Sequence, residues 1–140
     1  MDEVRFLDFQ IVKLDTPVYD ITYFFYWNAS KADLDNHRHY LELYYDTLSE
    51  TVKKLGSDLV NVYPFEVFLD HWKKYSSIGL LFALSGIKFL VNDSEMVNVA
   101  EIMKTGKTLG QAMRTEDSMN DECRRRIRDL VFHFVENEYI

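Results

Sequence analysis

The chain has 140 residues, of which 47% are hydrophobic and 15% aromatic, so it has enough apolar material for a core and is not a disordered chain. Its formal net charge of −7 makes nucleic acid an unfavourable partner, because the phosphate backbone repels an acidic protein. The single cysteine, Cys123, excludes an intrachain disulfide and favours a reducing, cytoplasmic setting.

The first segment, residues 4–14, is dominated by branched and aromatic side chains and predicts one or two short strands. A lone strand cannot satisfy its backbone groups or bury its faces, and no second convincing strand follows in the sequence. We therefore expect the partner strand to come from upstream of residue 1, which would make the chain a fragment of a longer protein.

The segments that follow predict a mainly α fold with four to six helices. Residues 19–27 predict a short buried helix whose aromatic run packs in the core, the alternative being the lining of an apolar substrate cavity. Ser30 and Asp33 form a capping-box pattern at the start of the next helix. Apolar residues recur at three- and four-residue steps over residues 34–55, and Gly56 supplies a stop.

A long helix is predicted to begin at Pro64, a residue that suits the first helical position. Its most apolar stretch, residues 78–91, is interrupted by Lys88 and is shorter than the ~20 residues that span a bilayer, so we expect a buried helix and no membrane span. One face carries small residues at helical spacing, which would let another helix approach closely. These residues are Gly79, Ala83 and Gly86.

The last predicted helix follows a mixed stretch of helix and loop. Ser118, with Asp121 three residues later, predicts its cap, and Cys123 lies on its apolar stripe and is expected in the core. The arginine-rich run at residues 124–128 is flanked by acidic residues and predicts a solvated helix face. No linker or repeat divides the chain, so we expect residues 1–140 to belong to one domain.

The segment that carries chemistry is Phe-Leu-Asp-Phe-Gln at residues 6–10, centred on Asp8. A carboxylate between apolar neighbours on a strand is costly to bury unless its charge is compensated, and a metal ion does this well. Phosphoryl transfer from ATP needs carboxylates that hold magnesium against the phosphate oxygens. From these residues alone, Asp8 is a metal ligand, a strand-end residue or a cap, and Asp20 could be the N-cap of the helix that follows it.

A wider pattern surrounds this motif. Leu-Asp-Phe-Gln-Ile-Val at residues 7–12 is followed by Asp-Thr-Pro-Val-Tyr-Asp-Ile-Thr-Tyr-Phe-Phe at 15–25 and by Tyr-Tyr-Asp-Thr-Leu-Ser-Glu-Thr-Val-Lys-Lys-Leu-Gly at 44–56. With the Tyr-Pro-Phe-Glu turn at 63–66 and Gly-Leu-Leu at 79–81, these motifs resemble the C-terminal half of the ecdysteroid kinase-like family. That family comprises CHK-type relatives of choline kinases and aminoglycoside phosphotransferases.

The resemblance implies that residues 1–140 form the helical C-terminal portion of a protein-kinase-like fold. It also implies that Asp8 binds magnesium and that Asp20 hydrogen-bonds and steadies the catalytic loop. Family members carry a His-Gly-Asp-x-Trp-x-x-Asn loop upstream of the metal aspartate, which supplies the base and a second metal ligand. That motif is missing from this sequence, as is the ATP-binding lobe. The histidines, none of which precedes Gly-Asp, are His37, His39, His71 and His133.

Two hypotheses follow from these observations. In the first, the chain is the C-terminal fragment of an ATP-dependent small-molecule kinase that uses Mg²⁺ and ATP to phosphorylate an alcohol, which the family name suggests is a steroid. The isolated chain is then expected to be inactive and to bind neither cofactor. In the second, the chain is a non-catalytic helical binding or interaction module derived from a kinase C-lobe. The sequence leaves open whether the chain is an enzyme.

Overall fold

The computed structural model describes residues 14–91 and 119–140, and over these residues the chain is helical without a strand. The mainly α fold class is therefore confirmed. The predicted strand at residues 4–14 lies outside the described residues, except for its last residue. The described helices are α1 (Val18–Asn28), α2 (Lys31–Asp35), α3 (His37–Lys54), α4 (Leu59–Val62), α5 (Phe65–Val91) and α6 (Asp121–Glu136).

Helix α1 confirms the predicted helix at residues 19–27 and begins directly after Pro17, whose φ of −62° suits a helix start. The Val18 backbone N–H donates to Thr16 Oγ1 across 3.4 Å, so a threonine side chain satisfies one of the first amides of the helix. Asp20 lies in the first turn of α1 and does not precede it. The interpretation of Asp20 as an N-cap is therefore wrong.

The predicted capping box is present at the start of α2. The Asp33 N–H donates to Ser30 Oγ across 3.3 Å, and the Ser30 N–H donates to Asp33 Oδ2 across 2.9 Å. The single helix predicted over residues 34–55 is wrong, because the helix is interrupted at Asn36 and α3 begins at His37. Asparagine is a weak helix former, and the break lets both α2 and α3 bury a leucine.

Helix α3 ends as predicted at Gly56, which has a positive φ of 87°. The Ser57 N–H donates to the Val52 carbonyl across 3.1 Å and the Gly56 N–H donates to the Lys53 carbonyl across 3.0 Å, a Schellman pattern that needs the left-handed residue. Helix α4, which the sequence pattern did not predict, then follows. Helix α5 begins at Phe65, one residue later than predicted.

Helix α6 is capped by Asn120, whose Oδ1 accepts from the Cys123 N–H across 2.8 Å. The predicted cap at Ser118 is therefore wrong, because Asn120 lies immediately before the helix and makes the capping contact itself. Cys123 has no exposed surface, which confirms its place in the core. In the part of the chain that the structure describes, no helix is long and apolar enough to cross a membrane.

The main packing contact joins α1 to α5 through the small residues of α5. A Cβ atom on Gly79 would lie 2.7 Å from the Thr22 carbonyl oxygen, and one on Gly86 would lie 2.3 Å from the Trp27 ring. Ala83, between them, is fully buried. The close helix approach predicted from these residues is confirmed.

The aromatic run of α1 divides between core and surface. Tyr26 is buried, with its ring centroid 5.4 Å from that of Trp72 and 4.7 Å from that of Phe134. Phe24 is 70% exposed and points away from the core. Core packing is therefore confirmed for Tyr26 and wrong for Phe24, because α1 turns only part of its surface toward α5 and α6.

The arginine-rich run of α6 is mostly solvated, as predicted, but Arg126 is different. Its Nη2 donates to the carbonyls of Trp27 and Ala29 across 3.1 and 3.3 Å, at the C-terminal end of α1. Helix α1 has no basic residue in its own last turn. Arg126 therefore supplies, from another helix, the positive charge that stabilises a helix C-terminus.

Candidate functional site

Three polar side chains fasten the start of α1 to α5, and we call them the Thr16 anchor. The Thr16 and Tyr63 hydroxyl oxygens are 3.1 Å apart, and His71 Nδ1 lies 3.2 Å from the first and 2.9 Å from the second. Tyr63 ends α4, and His71 lies in the second turn of α5. The anchor therefore holds the chain just before α1 against the N-terminal part of α5.

The hydroxyl groups of the anchor suit either tautomer of His71. His71 Nδ1 can accept from a hydroxyl group or donate to one, because each hydroxyl is both a donor and an acceptor. The ring packs edge-on against Tyr75, with centroids 5.6 Å apart. His71 is thus held in one orientation by two hydroxyl groups and one aromatic ring.

Two carboxylates flank the anchor. Asp15 precedes Thr16 and Asp20 follows it on the first turn of α1, and both side chains are exposed. Burial raises the pKa of Tyr44 above its ordinary value, and the nearby Asp20 carboxylate raises it further. Asp20 is therefore near enough to Tyr44 of α3 for its charge to act there. This acidic edge can accept hydrogen bonds or attract a cation.

The residues predicted from the sequence to form the site are not brought together in the described structure. Asp8 lies outside the described residues, and Asp20 is exposed on α1. Over residues 14–91 and 119–140, no three acidic, histidine or cysteine side chains converge in a way that could hold a metal ion. The Thr16 anchor was missed by sequence reasoning, because its members are 47 and 55 positions apart and share no motif.

A cleft of about 550 Å³ lies between the start of α2 and α6. Most of its charged side chains already have partners: Lys31 pairs with Asp35, and Arg125 pairs with Glu122. Its floor includes Arg126, which is engaged with the end of α1. Three basic and two acidic side chains line the cleft, and because each already has a partner, none is left to select one kind of ligand.

We predict that the Thr16 anchor contributes a measurable coupling between Thr16 and His71. A double-mutant cycle of Thr16→Val and His71→Phe should give a coupling free energy of about 0.5–1.5 kcal/mol, the range of a net intramolecular hydrogen bond. Urea unfolding followed by circular dichroism measures it. Thr47→Val is the matched control, because its hydroxyl donates to the Leu43 carbonyl within α3 and should show no coupling to His71. A coupling no larger than that of the control would contradict the anchor.

Comparison with known proteins finds a similarity in the N-terminal part of this chain. The model of the ecdysteroid kinase-like family matches residues 1–57, a stretch that contains Asp8 and Asp20 and that ends just after α3. No curated protein and no solved structure matches the chain significantly. The match covers the motifs at residues 7–12, 15–25 and 44–56, and the motifs at 63–66 and 79–81 lie outside it. Residues 1–57 are therefore similar to the ecdysteroid kinase-like family.

Proposed function

We propose that this chain is the helical C-terminal part of an ATP-dependent kinase that transfers phosphate to the hydroxyl group of a small molecule. The observation that carries the proposal is that the stretch matching the family contains both Asp8 and Asp20. The mainly α fold supports it, because a kinase C-lobe is mostly helical. A steroid alcohol as substrate, Mg²⁺ and ATP as cofactors, and a cytoplasmic location are parts of the same proposal.

The proposal assigns a separate role to each aspartate. Asp8 would be one ligand of Mg²⁺, which fits because this cation prefers carboxylate oxygens. When bound, the ion neutralises charge on the phosphate oxygens during transfer. Asp20 is exposed on the first turn of α1, where it can accept hydrogen bonds from a loop packed against that end of the helix. Thr16 lies between the two aspartates in sequence. Through the Thr16 anchor, this connecting segment would be held against α5.

The 140-residue chain by itself is proposed to be inactive, because its sequence contains no His-Gly-Asp motif to act on the substrate hydroxyl. Incubation of the purified chain with Mg²⁺, ATP and a panel of steroid and other alcohols should give no phosphorylated product. Mass spectrometry of the native protein under denaturing conditions should give a mass well above 16.6 kDa. If the isolated chain transferred phosphate, and the Asp8→Asn variant did not, the catalytic base would have to lie within this sequence. That result would overturn the proposal that the isolated chain is inactive.

In the active native protein, Asp8→Asn is predicted to lower kcat by at least about a hundredfold, because metal-assisted charge stabilisation contributes several kcal/mol to catalysis. Asp46→Asn is the matched control, since Asp46 is an exposed acidic residue of α3 outside the candidate site. Its kcat should remain within about threefold of the original value. Steady-state kinetics with saturating ATP measures both variants. Equal losses in the two would remove the metal-binding role from Asp8.

A second candidate function is a non-catalytic interaction module derived from a kinase C-lobe. It is favoured by large apolar side chains on the described surface: Phe24, Leu81 and Phe132 are 70%, 65% and 55% exposed. Such side chains are suited to contact with another protein. A native mass of 16.6 kDa, with no transfer activity, would select the module over the kinase.

A further inference from the structure

Two histidines from distant parts of the sequence meet inside the described structure, and we call them the histidine pair. His37, at the start of α3, and His133, near the end of α6, have ring centroids 4.7 Å apart at an interplanar angle of 85°. His133 is only 5% exposed and His37 is half-buried. The pair lies where α1, α3 and α6 meet, and the ring of Tyr139 covers it from the C-terminal segment, residues 137–140.

The hydrogen bonds around the pair suit two neutral rings. His37 Nδ1 donates to the Leu34 carbonyl across 3.1 Å, so its Nε2 is the acceptor for the Tyr139 hydroxyl at 3.2 Å. His133 Nδ1 accepts from Asn137 Nδ2 across 3.3 Å, which leaves Nε2–H to donate to the Tyr26 hydroxyl at 3.4 Å. The Asn137 amide nitrogen also donates to the His133 carbonyl across 2.8 Å, and this bond fixes the orientation of the amide.

A second proton on His133 would be poorly accommodated. It would have to go to Nδ1, where it would face the amide N–H₂ of Asn137 and place two donors against each other. The new positive charge would also lie beside the His37 ring in a buried setting. Rotation of the Asn137 amide to offer its oxygen would break the bond to the His133 carbonyl.

The groups facing the pair do not compensate such a charge with a hydrogen bond. The neighbours are Tyr26 from α1, Lys31 and Asp35 from α2, Arg38 from α3, Trp72 from α5, and Asn137 and Tyr139 after α6. Asp35 is the one carboxylate acting on His133 among these, and it already pairs with Lys31. Within the described residues, neither ring donates to a carboxylate.

We propose that the histidine pair is an acid-sensitive latch, which holds the end of α6 and the C-terminal segment against α1 and α3 while both rings are neutral. Uptake of a proton by His133 releases the latch, because the protonated ring loses its acceptor role toward Asn137. The other contacts of this end are the buried Phe134 ring, which packs on Tyr26 and Tyr139, the Tyr139 N–H, which donates to the Phe134 carbonyl, and exposed Lys73, which pairs with Glu138. The proposal is independent of the kinase function.

The direction of the pH effect follows from the burial of His133. Burial lowers the pKa of His133 from 6.5 to about 4, and the neighbouring His37 contributes in the same direction. Burial also lowers the pKa of His37. In the open form the contacts of the latch are broken, and His133 keeps its ordinary pKa of 6.5. Between pH 6.5 and about 4, the open form therefore binds more protons than the closed form. The stabilising contribution of the latch is therefore largest above about pH 6.5 and is lost as the pH falls toward 4, with the equilibrium for opening about twentyfold larger at pH 5 than at pH 7.

Hydrogen exchange of the 140-residue chain, measured by mass spectrometry between pH 7 and 4.5 and corrected for the intrinsic exchange rate, tests the latch. Peptides covering residues 130–140 should lose protection as the pH falls, whereas peptides from α5 keep theirs. In His133→Phe, which retains a ring but cannot titrate, His37 is the one titrating ring left in the pair, so the opening equilibrium should change several-fold less from pH 7 to 5 than in the original chain. His39→Gln is the matched control, because His39 is exposed on α3, and it should behave like the original chain.

A second variant keeps the test decisive if His133→Phe does not fold. Asn137→Asp places a carboxylate beside Nδ1, which favours the protonated ring and should raise the pKa of His133. The increase in the opening equilibrium of this variant from pH 7 to pH 5 should therefore be several-fold smaller than the increase in the original chain. The latch is disproved if the original chain, the Asn137→Asp variant and any folded His133→Phe variant lose protection equally with falling pH.

Discussion

Phe134→Ala should lower the free energy of unfolding by about 3–5 kcal/mol, the range for removing a buried phenylalanine ring. Phe134 has no exposed surface, and its ring centroid lies 4.7 Å from that of Tyr26 and 5.7 Å from that of Tyr139. The substitution would leave a cavity between α1, α6 and the C-terminal segment that these rigid helices cannot fill. Urea unfolding at pH 7, monitored by circular dichroism at 222 nm, measures the change.

The control for this prediction lies two residues away on the same helix. Phe132 is 55% exposed, so Phe132→Ala removes a ring of the same size without opening a buried cavity, and its cost should stay below about 1 kcal/mol. Both variants change helix propensity equally, so the difference between them isolates burial. If the two losses are equal, α6 does not dock through the face that contains Phe134.

Gly79→Ala should lower the free energy of unfolding by about 1–3 kcal/mol, although alanine is the better helix former. The added Cβ would lie 2.7 Å from the Thr22 carbonyl oxygen and 2.8 Å from the Tyr26 ring. The carbonyl belongs to the backbone of α1, so relief requires the two helices to move apart and to weaken the main packing contact of the structure. The same unfolding measurement detects the loss.

Gly86→Ala provides the comparison for this effect. Its Cβ would meet the Trp27 ring at 2.3 Å, but Trp27 is only half-buried and its indole can swing toward solvent. We therefore expect Gly86→Ala to cost less than Gly79→Ala, despite the shorter contact distance. The opposite order would show that the Trp27 side chain, and not the α1 backbone, limits the approach of the helices.

The parts of the fold that were predicted correctly depend on neighbouring residues. The Ser30–Asp33 capping box and the Gly56 stop are each formed by groups within five residues of one another, so their geometry follows from local chemistry. The predicted cap of α6 was wrong because the local sequence offers two suitable caps. Ser118 and Asn120 both suit an N-cap, and the choice between them depends on where α6 docks.

The candidate site also contains residues that the sequence could identify and residues that it could not. Asp8 and Asp20 could be found from the sequence, because they lie in motifs that resemble the kinase family, and the family match over residues 1–57 agrees with that resemblance. Their proposed roles stay predictions. The Thr16 anchor could not be found, since a threonine, a tyrosine and a histidine far apart in sequence have no pattern until the helices pack.

The sequence alone determined the mainly helical class, the small-residue face of α5 and the similarity of residues 1–57 to the ecdysteroid kinase-like family. These features depend on local propensity, spacing and motif order. Only the tertiary structure decided which histidines meet, that Arg126 caps another helix, and which aromatic residues of α1 are buried. Those outcomes depend on contacts between residues about 50 to 100 positions apart, and no local pattern contains the information about which helix faces come together.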